Sequence, residues 1–530
     1  MVVKHKTGTF NNKLYYGDNL DVLRNKIQDE TVDLCYIDPP FNSKRDYFLI
    51  YNNIGGEKDR AQAQAFEDTW EWGDEAEAGL DYLGDVNHLN SGKLTQQTVD
   101  LIQGLVKVLG KGDLMAYLVH MVLRIVEIHR VLKPTGSFYL HCDPTASHYL
   151  KLICDGVFCG GGRRSDFLNE IIWCYDTAGR GKRNFAKKHD VIFLYAKTDA
   201  YRFNGSTVTI PMKAGANSFG GRLEVDEEGR KYRLVYGTKN KKGETKYYKY
   251  YLDEGKIPND WWVDINALQS KEAERLGYPT QKPEAFLERI IKASSNEGDV
   301  VLDAYCGCGT TVSVAHRLKR RWIGIDITYH SISLILKRLK DTHGQENWAT
   351  LEQSLLIDGV PKDKKSALAL ANRKDDKTRK EFEKWAVLTY SDNQARINLK
   401  KGADGGVDGI SYFVKDKEGA EFKNGKVLYQ VKSGGAHDRD VRDLLGAMSN
   451  EQAEIGILLT MDPPTAPMRK TAQKAGKFVH PFIHKEFDRI QIVSVDDLLA
   501  GARIELPLPR TDLAKSAEKT GDAQKQIGLI

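Results

Sequence analysis

The spacing of apolar residues predicts alternating strands and helices in the first part of the chain. Residues 13–41 contain a short apolar strand, a Gly-Asp turn, an amphipathic helix and the run VDLCYI, which is typical of a buried strand in a parallel sheet. Residues 116–134 have the period of a helix, which we expect to stop at Pro134. Further strands are predicted at 136–143, 167–175 and 190–197.

The pattern divides the rest of the chain into regions of different expected structure. Residues 50–115 are polar, and we expect an irregular insertion there. Near residue 200 the strands become short and Gly and Lys accumulate, whereas from residue 283 a helix, a buried strand, a glycine loop, a helix and a strand form a βαβ pattern. A charged linker and a third α/β unit follow. The predicted boundaries are 1–200, 201–275, 276–357, 358–380, 381–510 and 511–530.

Composition limits the class of protein. A chain of 530 residues is long enough for two or three domains. Its 78 basic and 73 acidic residues give a net charge of +5, so any surface that binds nucleic acid must be a local feature. Seven cysteines, an odd number, do not indicate a disulfide framework. Without an apolar leader or a long apolar run, we expect a cytoplasmic protein that does not enter a membrane.

A glycine-rich turn lies between two predicted strands in VVLDAYCGCGTTVSVAHRLKRRWIGIDI. The first strand ends at Asp303, Gly307 and Gly309 permit a tight turn, a helix begins at Thr310, and the second strand ends at Asp326. Such a turn allows backbone to approach a ligand, and an acid at the end of the second strand can hold ribose hydroxyls. The loop is neither a P-loop nor a complete dinucleotide fingerprint. On the glycines alone, a turn needed only for packing is an equal alternative.

Polar residues precede the helix that leads into this loop. In YPTQKPEAF, Thr280, Gln281 and Lys282 come directly before a helix that begins with proline. A cation and hydrogen-bond donors next to the loop could engage the carboxylate of an amino acid. A ligand with a nucleoside end and an amino-acid end suits both features, and S-adenosylmethionine is such a ligand.

The motif IDPPF ends the buried strand VDLCYI. Pro39 and Pro40 have no N–H, so the turn presents mainly acceptors, among them the carboxylate of Asp38. Acceptors can engage the exocyclic amine of a nucleobase and make its lone pair available, while Phe41 stacks on a base that has left its helix. The alternative is a Pro-Pro strand terminator beside an incidental acid.

These motifs, in this order, resemble those of amino-group DNA methyltransferases of the circularly permuted β class. The match extends over residues 13–340, from YYGDNLDVL and YIDPPF through YPTQKP to VLDAYCGCGTT and GIDI. The resemblance implies a catalytic tetrad and a cofactor site for S-adenosylmethionine. The implied catalytic residues are Asp38, Pro39, Pro40 and Phe41, and the implied cofactor residues are Asp18, Thr280, Gln281, Lys282, Asp303, Gly307, Gly309, Thr310 and Asp326.

The resemblance also suggests how the cofactor site is divided and which base is modified. Asp326 would hold the ribose, residues 280–282 would lie near the methionine end, and Asp18 near the adenine. Ala304, Tyr305 and Cys308 replace the usual Pro, Phe and Ser, which affects the expected affinity for the cofactor. An Asp at position 38 favours adenine N6 as the target over cytosine N4.

Residues 230–251 are a candidate region for reading DNA. They contain eight Lys or Arg and six Tyr, which suit phosphate contacts and stacking. They lie where this family carries its target-recognition region; the alternative is a solvated hairpin with a tyrosine face. The candidate DNA contacts are Arg230, Lys231, Arg233, Lys241 and Lys242, together with Arg180, Lys182 and Arg183 in a second loop.

The third unit contains a different set of polar residues. Asp408 lies at a glycine-bracketed turn before a strand, Gln430 and Lys432 share one face of a later strand, and Glu383 lies on a preceding helix. Oxygen ligands of this kind suit Mg²⁺, and a nearby Lys can orient water. Residues 380–510 resemble the PD-(D/E)XK fold of the Mrr-type restriction endonuclease family. The resemblance makes these four residues the catalytic core, with Asp408 and Gln430 as metal ligands.

The sequence therefore predicts an α/β protein with two active units. A Rossmann-like, circularly permuted methyltransferase with an inserted target-recognition region would precede a restriction-endonuclease-like α/β domain. We expect methyl transfer from S-adenosylmethionine to an amine of double-stranded DNA, and Mg²⁺-dependent cleavage by the third unit. The alternatives are a third unit that binds DNA without cutting, a binding protein without chemistry, and RNA as the substrate. A homodimer and a separate partner subunit are both compatible with the sequence.

Overall fold

The computed structural model defines the positions of most of the chain. The described residues are 12–40, 45–49, 63–68, 70–90, 94–159, 166–176, 185–211, 222–239, 245–269, 272, 274–276, 278, 280–372, 376–397, 406–418, 421–481, 483–502 and 507.

The first 200 residues supply one half of a mixed α/β unit. Its strands are β1 (Asn12–Tyr16), β2 (Val32–Ile37), β3 (Arg45–Leu49), β4 (Ala63–Asp68), β5 (Leu132–Cys142), β6 (Phe167–Cys174) and β7 (His189–Ala196). Its helices are α1 (Asn19–Lys26), α2 (Asp74–Gly84), α3 (Val86–Asn90), α4 (Gln96–Leu109), α5 (Asp113–Val131) and α6 (Ser147–Phe158).

The middle of the chain carries a small sheet and then returns to the large one. A 3-10 helix (Gly205–Val208) precedes β8 (Arg222–Val225), β9 (Lys231–Lys239), β10 (Thr245–Tyr251) and β11 (Trp261–Trp262). The second half of the α/β unit consists of α7 (Glu284–Ser294), β12 (Val300–Asp303), α8 (Thr310–Arg317), β13 (Arg321–Asp326), α9 (Tyr329–Ser354) and β14 (Leu355–Asp358).

The last part of the chain forms a second α/β unit. Its helices are α10 (Lys364–Ala371), α11 (Asp376–Tyr390), α12 (Asp438–Asn450), α13 (Ala466–Lys474) and α14 (Val495–Leu499). Its strands are β15 (Arg396–Ile397), β16 (Gly409–Glu418), β17 (Glu421–Lys432), β18 (Ile455–Thr460), β19 (Lys477–Val479), β20 (Glu486–Asp488) and β21 (Ile490–Ser494).

One large sheet joins the two halves of the first unit. Its strand order is β11-β6-β7-β5-β2-β12-β13-β1-β14. The pairing of β2 with β12 is parallel, with Leu34 opposite Val301 and Cys35 opposite Leu302, and it connects segments that lie far apart in the sequence. Strands β5, β2, β12, β13, β1 and β14 are all parallel to their neighbours in this order, and β7 is antiparallel to both β5 and β6.

The large sheet is covered on both faces. Helices α1, α4, α5 and α6 contribute to one hydrophobic core, and α7, α8 and α9 contribute to a second core against the opposite face. This three-layer arrangement explains why every residue of β2 is buried and why its sequence does not alternate. The predicted α/β fold class is confirmed.

Three predictions of local structure were wrong. Residues 74–109 contain helices rather than an irregular insertion, because Val99, Ile102 and Leu105 of α4 form a buried apolar face. Helix α5 ends at Val131, three residues before Pro134, because proline disfavours the helical conformation in the residue that precedes it. Pro134 itself lies exposed near the start of β5. The region 358–380, predicted as a linker, contains α10 and the start of α11.

Glu381 of α11 connects the two α/β units. Its carboxylate accepts a hydrogen bond from the backbone N–H of Tyr329, the first residue of α9, at 2.8 Å, and from the hydroxyl of Tyr16 at 3.4 Å. Lys384 donates to the other carboxylate oxygen at 2.6 Å. An anion at a helix N-terminus is favourable because it satisfies free backbone donors and complements the helix dipole. Tyr329 also packs into the core of the second unit, so its backbone and ring join both units.

No helix in the described part of the chain is both long enough and apolar enough to cross a membrane.

The contact of Glu381 predicts a measurable loss of stability. Replacing Glu381 by Ala leaves the buried N–H of Tyr329 without its acceptor and should lower the free energy of unfolding by about 1–3 kcal/mol. Glu352→Ala on the exposed side of α9 is the matched control, with an expected change within about 0.5 kcal/mol. Urea unfolding followed by circular dichroism measures both, and equal losses in the two variants would contradict this role for Glu381.

Candidate active site

Four predicted acids lie at the same edge of the large sheet. Asp303 ends β12 and Asp326 ends β13, while Asp38 directly follows β2 and Asp18 follows β1 after one glycine. These four strands are parallel and adjacent in the order β2, β12, β13, β1, so their carboxyl ends coincide. This edge of a parallel sheet is where α/β folds bind ligands.

The glycine loop fits tightly against neighbouring side chains. Gly307 and Gly309 have φ values of +50° and +74°, in the left-handed region that disfavours other residues. A Cβ at Gly309 would come within 2.5 Å of Ile335, and one at Gly307 within 3.1 Å of Tyr278. The glycines are therefore needed for the conformation and packing of the loop, whatever else the loop binds.

Asp326 organises the loop from the next strand. One of its carboxylate oxygens accepts the N–H of Gly307 at 2.9 Å, and the other accepts the N–H of Thr328 at 2.9 Å. Burial raises the pKa of Asp326 to about 6 despite these bonds. Burial also raises the pKa of Asp303 to about 7, and the charges of Asp38 and Asp326 add to that rise. This edge therefore favours a cationic ligand, which would offset the clustered carboxylates.

Asp38 forms an ion pair with Lys282, which directly precedes the start of α7. Nζ of Lys282 lies 2.5 Å from Oδ2 of Asp38, and the side chains are 11% and 16% exposed. The other oxygen, Oδ1 of Asp38, is buried and has no hydrogen-bond partner within the described residues. Pro39 beside it is buried, whereas Phe41 lies outside the described residues. The turn therefore presents one unpaired acceptor at the ligand edge of the sheet.

The remaining predicted cofactor residues bond to the protein itself. The carboxylate of Asp18 accepts the N–H groups of Leu20 and Asp21 and pairs with Arg124 at 2.7 Å. Gln281 bonds through both ends of its amide to residues 274 and 276. The hydroxyl of Thr310 accepts from Arg338 at 3.3 Å, and Thr280 lies at the turn before Gln281. These residues shape the turns around the edge of the sheet where Asp18, Asp38, Asp303 and Asp326 lie, which we call the acid edge.

The residues that depart from the family pattern have partners of their own. The hydroxyl of Tyr305 lies 3.0 Å from Nε2 of His120, and the carbonyl of Ala304 accepts from the amide of Asn19 at 2.9 Å. Sγ of Cys308 lies 3.6 Å from the Thr310 hydroxyl. All seven cysteines are free thiols, as the odd number predicted. The substitutions thus alter which neighbours hold the loop without leaving it unsupported.

The candidate DNA-binding residues are partly described. Arg230 is paired with Asp253 at 2.8 Å and with Glu254 at 3.0 Å, Lys231 is exposed, and Arg233 is buried. Tyr236, Tyr247 and Tyr248 are all exposed on the sheet formed by β8, β9 and β10. The other candidates, Arg180, Lys182, Arg183, Lys241 and Lys242, lie outside the described residues.

The second unit brings Asp408 and the middle of β17 together. The N–H of Asp408 donates to the carbonyl of Tyr429 at 2.8 Å, and its carboxylate accepts the N–H of Val431 at 2.7 Å. Gln430 lies between Tyr429 and Val431 on β17 and is 3% exposed. Its Oε1 is buried without a hydrogen-bond partner among the described residues. Glu383 lies half-buried on α11.

Lys432 has an acidic partner that the sequence did not indicate. Its Nζ lies 3.2 Å from Oδ1 of Asp440 on α12. Although burial opposes ionisation, the His437 N–H and the Lys432 charge lower the pKa of Asp440. Within the described residues, no group of three or more His, Cys, Asp or Glu side chains could hold a metal ion. Any metal at β17 would thus depend on the Asp408 carboxylate and the Gln430 amide oxygen.

Comparison with known proteins identifies both units. Residues 32–337 match the family model N6_N4_Mtase, described as DNA methylase. The chain belongs to this DNA methylase family. Residues 375–499 match the model Mrr_cat, described as restriction endonuclease, so the predicted family assignment of each unit is confirmed.

Individual relatives match parts of the chain. The DNA adenine methyltransferase YhdJ of Escherichia coli is 34% identical over 218 residues, which cover 41% of this chain and 64% of the relative. The type II methyltransferase M.HpaI of Haemophilus parainfluenzae is 32% identical over 218 residues, which cover 40% and 56%. The chain therefore spans less than two thirds of either relative. The solved PvuII DNA methyltransferase (cytosine-N4-specific) is 15% identical with a TM-score of 0.36, over 66% of this chain and 95% of that one.

A buried polar network lies behind Asp38 in this DNA methylase. The Tyr36 hydroxyl lies 3.0 Å from Nδ1 of His141, and Nε2 of His141 lies 3.0 Å from Asp190, which also accepts from the Tyr175 hydroxyl at 3.0 Å. Burial alone would raise the pKa of Asp190, but the hydrogen bond to His141 and the charges of His141 and Lys282 lower it below its usual value. Sequence analysis missed this network, because its members lie on separate strands. A histidine within the apolar run of β5 was the one available signal.

The tight fit at Gly309 predicts a specific loss of stability. Gly309→Ala should cost about 1–2 kcal/mol for its left-handed φ, plus about 1–3 kcal/mol for the contact with Ile335. Gly298→Ala is the control, because its φ is +82° and no atom lies within 4 Å of the added Cβ. Urea unfolding should therefore show a larger loss for Gly309→Ala, and equal losses would refute the packing role.

Proposed function

We propose that the protein methylates the N6 amine of adenine in DNA with S-adenosyl-L-methionine as the methyl donor. The observation that carries the proposal is the buried Oδ1 of Asp38 at the ligand edge of the sheet, which has no hydrogen-bond partner in the part of the chain that the structure describes. An unpaired buried acceptor is costly unless a ligand supplies its donor, and an exocyclic amine is such a donor.

The acid edge fits the cofactor. S-adenosyl-L-methionine is cationic at sulfur and at its amino group, and Asp303 and Asp326 are carboxylates whose pKa values are raised by burial, so a nearby cation would favour their charged forms. Asp326 at the end of β13 would hold the ribose hydroxyls, and the loop of Gly307 and Gly309 would pass beside the nucleoside. When bound, the cofactor supplies a methyl group on a cationic sulfur, which keeps the C–S bonding electrons as the carbon moves to the amine nitrogen.

The residues of the chain orient the amine for this transfer. Oδ1 of Asp38 accepts one hydrogen of the amine, and the backbone carbonyls of the Pro-Pro turn are suited to accept the other. Because Pro39 and Pro40 have no N–H, the turn offers no donor that would compete with the amine. Two accepted hydrogens draw the nitrogen toward tetrahedral geometry, and its lone pair becomes available for attack. Phe41 is proposed to stack on the base.

Adenine is the preferred base on two grounds. An Asp begins the motif at position 38, and a relative that shares 34% identity carries the name DNA adenine methyltransferase. The target must leave the DNA helix to reach a buried acceptor, which costs a few kcal/mol. Exposed tyrosines and Lys231 on the sheet of β8, β9 and β10 are suited to hold the surrounding DNA by stacking and phosphate contacts.

We further propose that the second unit cleaves DNA with Mg²⁺. Asp408 and Gln430 would hold the ion, since the buried Oε1 of Gln430 has no hydrogen-bond donor within the described ranges, and amide and carboxylate oxygens suit Mg²⁺. When bound, the ion stabilises the charge that develops on the phosphate. Lys432, held by Asp440, would orient the attacking water.

The methyl-transfer proposal is tested on unmodified plasmid DNA with labelled cofactor. Nucleosides from the digested product should contain N6-methyladenine, and Asp38→Ala should lower kcat by roughly 10²–10³-fold because the amine loses its acceptor. Asp21→Ala, an exposed acid in the first turn of α1, serves as the control and should keep full activity. N4-methylcytosine as the sole product would refute adenine, and transfer to RNA alone would refute DNA as the substrate.

The cleavage proposal needs a separate variant. Asp408→Ala should abolish Mg²⁺-dependent nicking or cleavage in a gel assay while leaving methyl incorporation within about two-fold of the wild type, because the two sites occupy different units. Asp416→Ala on β16 is a control in the same unit. Cleavage that persists in Asp408→Ala would refute the assignment, and a wild type that binds DNA without cutting would support a DNA-binding role for the unit.

A further inference from the structure

Lys282 of the TQKP motif contacts Asp38 of the DPPF motif. The motif TQKP and the motif DPPF are 244 residues apart, and the parallel pairing of β2 and β12 brings their regions together. Nζ of Lys282 then lies 2.5 Å from Oδ2 of Asp38. Because both side chains are mostly buried, this pair is screened far less by salt and water than a surface pair.

The groups around Asp38 are predominantly anionic or polar. Asp303 ends the neighbouring strand β12, and Asp326 ends β13 beyond it. Tyr36 on β2 and Tyr278 before α7 are buried hydroxyls whose pKa values are raised by burial and, in part, by the charge of Asp38. The pKa of Asp190 on β7 is lowered, against the effect of burial, by His141 and by the charge of Lys282.

Lys282 is the cation that balances this group of acids. In the described part of the chain, it is the one basic residue that forms a salt bridge with Asp38. Burial raises the pKa of Asp303, and the like charges of Asp38 and Asp326 add to the rise. A cation buried beside Asp38 offsets the repulsion among these carboxylates.

The pair also sets the direction of the carboxylate. Lys282 holds Oδ2, and the buried Oδ1 has no hydrogen-bond partner among the residues that the structure describes. A carboxylate fixed at one oxygen cannot rotate freely, so its second oxygen keeps one position toward the ligand edge. Ionised carboxylates are acceptors only, whereas a protonated one would offer an O–H to the amine and would not draw out its lone pair.

We propose that Lys282 is a positioning residue for methyl transfer, which pairs with Oδ2 of Asp38 and fixes the carboxylate so that Oδ1 accepts a hydrogen from the target amine. This inference rests on the proposed function and replaces the expectation that Lys282 binds the methionine end of the cofactor. In the transfer the nitrogen lone pair forms the new N–C bond, the C–S electron pair stays on sulfur, and the nitrogen loses one proton. Oδ1 of Asp38 receives that proton and releases it to water.

The two roles of Lys282 differ in kinetics. As the residue that holds the carboxylate of Asp38, it affects kcat. As a ligand of the cofactor, it would affect the affinity for the cofactor instead. Lys282→Met removes the charge at similar length, and Lys282→Arg keeps the charge. Lys292→Met, on the surface of α7 and paired with Glu288, is the matched control.

The experiment measures methyl incorporation into plasmid DNA by the full chain, and cofactor affinity by titration calorimetry. For Lys282→Met we expect a fall in kcat of roughly 10²-fold and a change in cofactor affinity below about three-fold. Lys282→Arg should recover most of the lost kcat, because it restores a cation beside Oδ2 of Asp38. Lys292→Met should behave as the wild type.

Two results would overturn the inference. One is a Lys282→Met variant that loses cofactor affinity while its kcat is unchanged. The other is a Lys282→Arg variant with a kcat as low as that of Lys282→Met, which indicates that the charge beside Asp38 is not what the reaction needs. If Lys282→Met does not fold, a Lys282→Arg variant that loses cofactor affinity with an unchanged kcat would overturn the inference. A wild type that transfers no methyl group would instead contradict the proposed function, so the two failures are distinguishable.

Discussion

The parallel pairing of β2 with β12 is the constraint on which the first unit depends. It joins the strand that ends in the Asp-Pro-Pro turn to the strand that enters the glycine loop, across a sequence separation of more than 260 residues. Because parallel strands end at the same edge, this one pairing brings Asp38, Asp303 and Asp326 together. Helices on both faces bury the sheet, so the strands can be apolar throughout and the polar groups collect at their ends.

Concentrating acids at a buried edge has an energetic consequence. Burial raises the pKa values of Asp303 and Asp326, and the charges of Asp38 and Asp326 add to the rise at Asp303, so nearby cations would stabilise this edge. Lys282 supplies one such charge from within the chain, and a sulfonium ligand suits the remainder. Oδ1 of Asp38 at this edge has no hydrogen-bond donor among the described residues, so it is an acceptor suited to a donor on the ligand.

The sequence was informative where local patterns decide the structure. The uninterrupted apolar run of β2, the glycines of the loop and the proline before α7 predicted these elements and their order. The helices between residues 74 and 109 were missed because the apolar positions of α4 are spread among polar residues. The Asp38–Lys282 and Tyr36–His141–Asp190 contacts depend on which strands become neighbours, which no local pattern specifies. For the same reason, Asp440 was not identified as the partner of Lys432.

The most direct test is a crystal structure of the full chain with S-adenosyl-L-methionine bound. The ribose hydroxyls should bond to Asp326, the methyl group should point toward the space beside Oδ1 of Asp38, and Lys282 should remain paired with Oδ2. A cofactor bound elsewhere, or a Lys282 that has left Asp38 for the methionine carboxylate, would contradict this account of the acid edge.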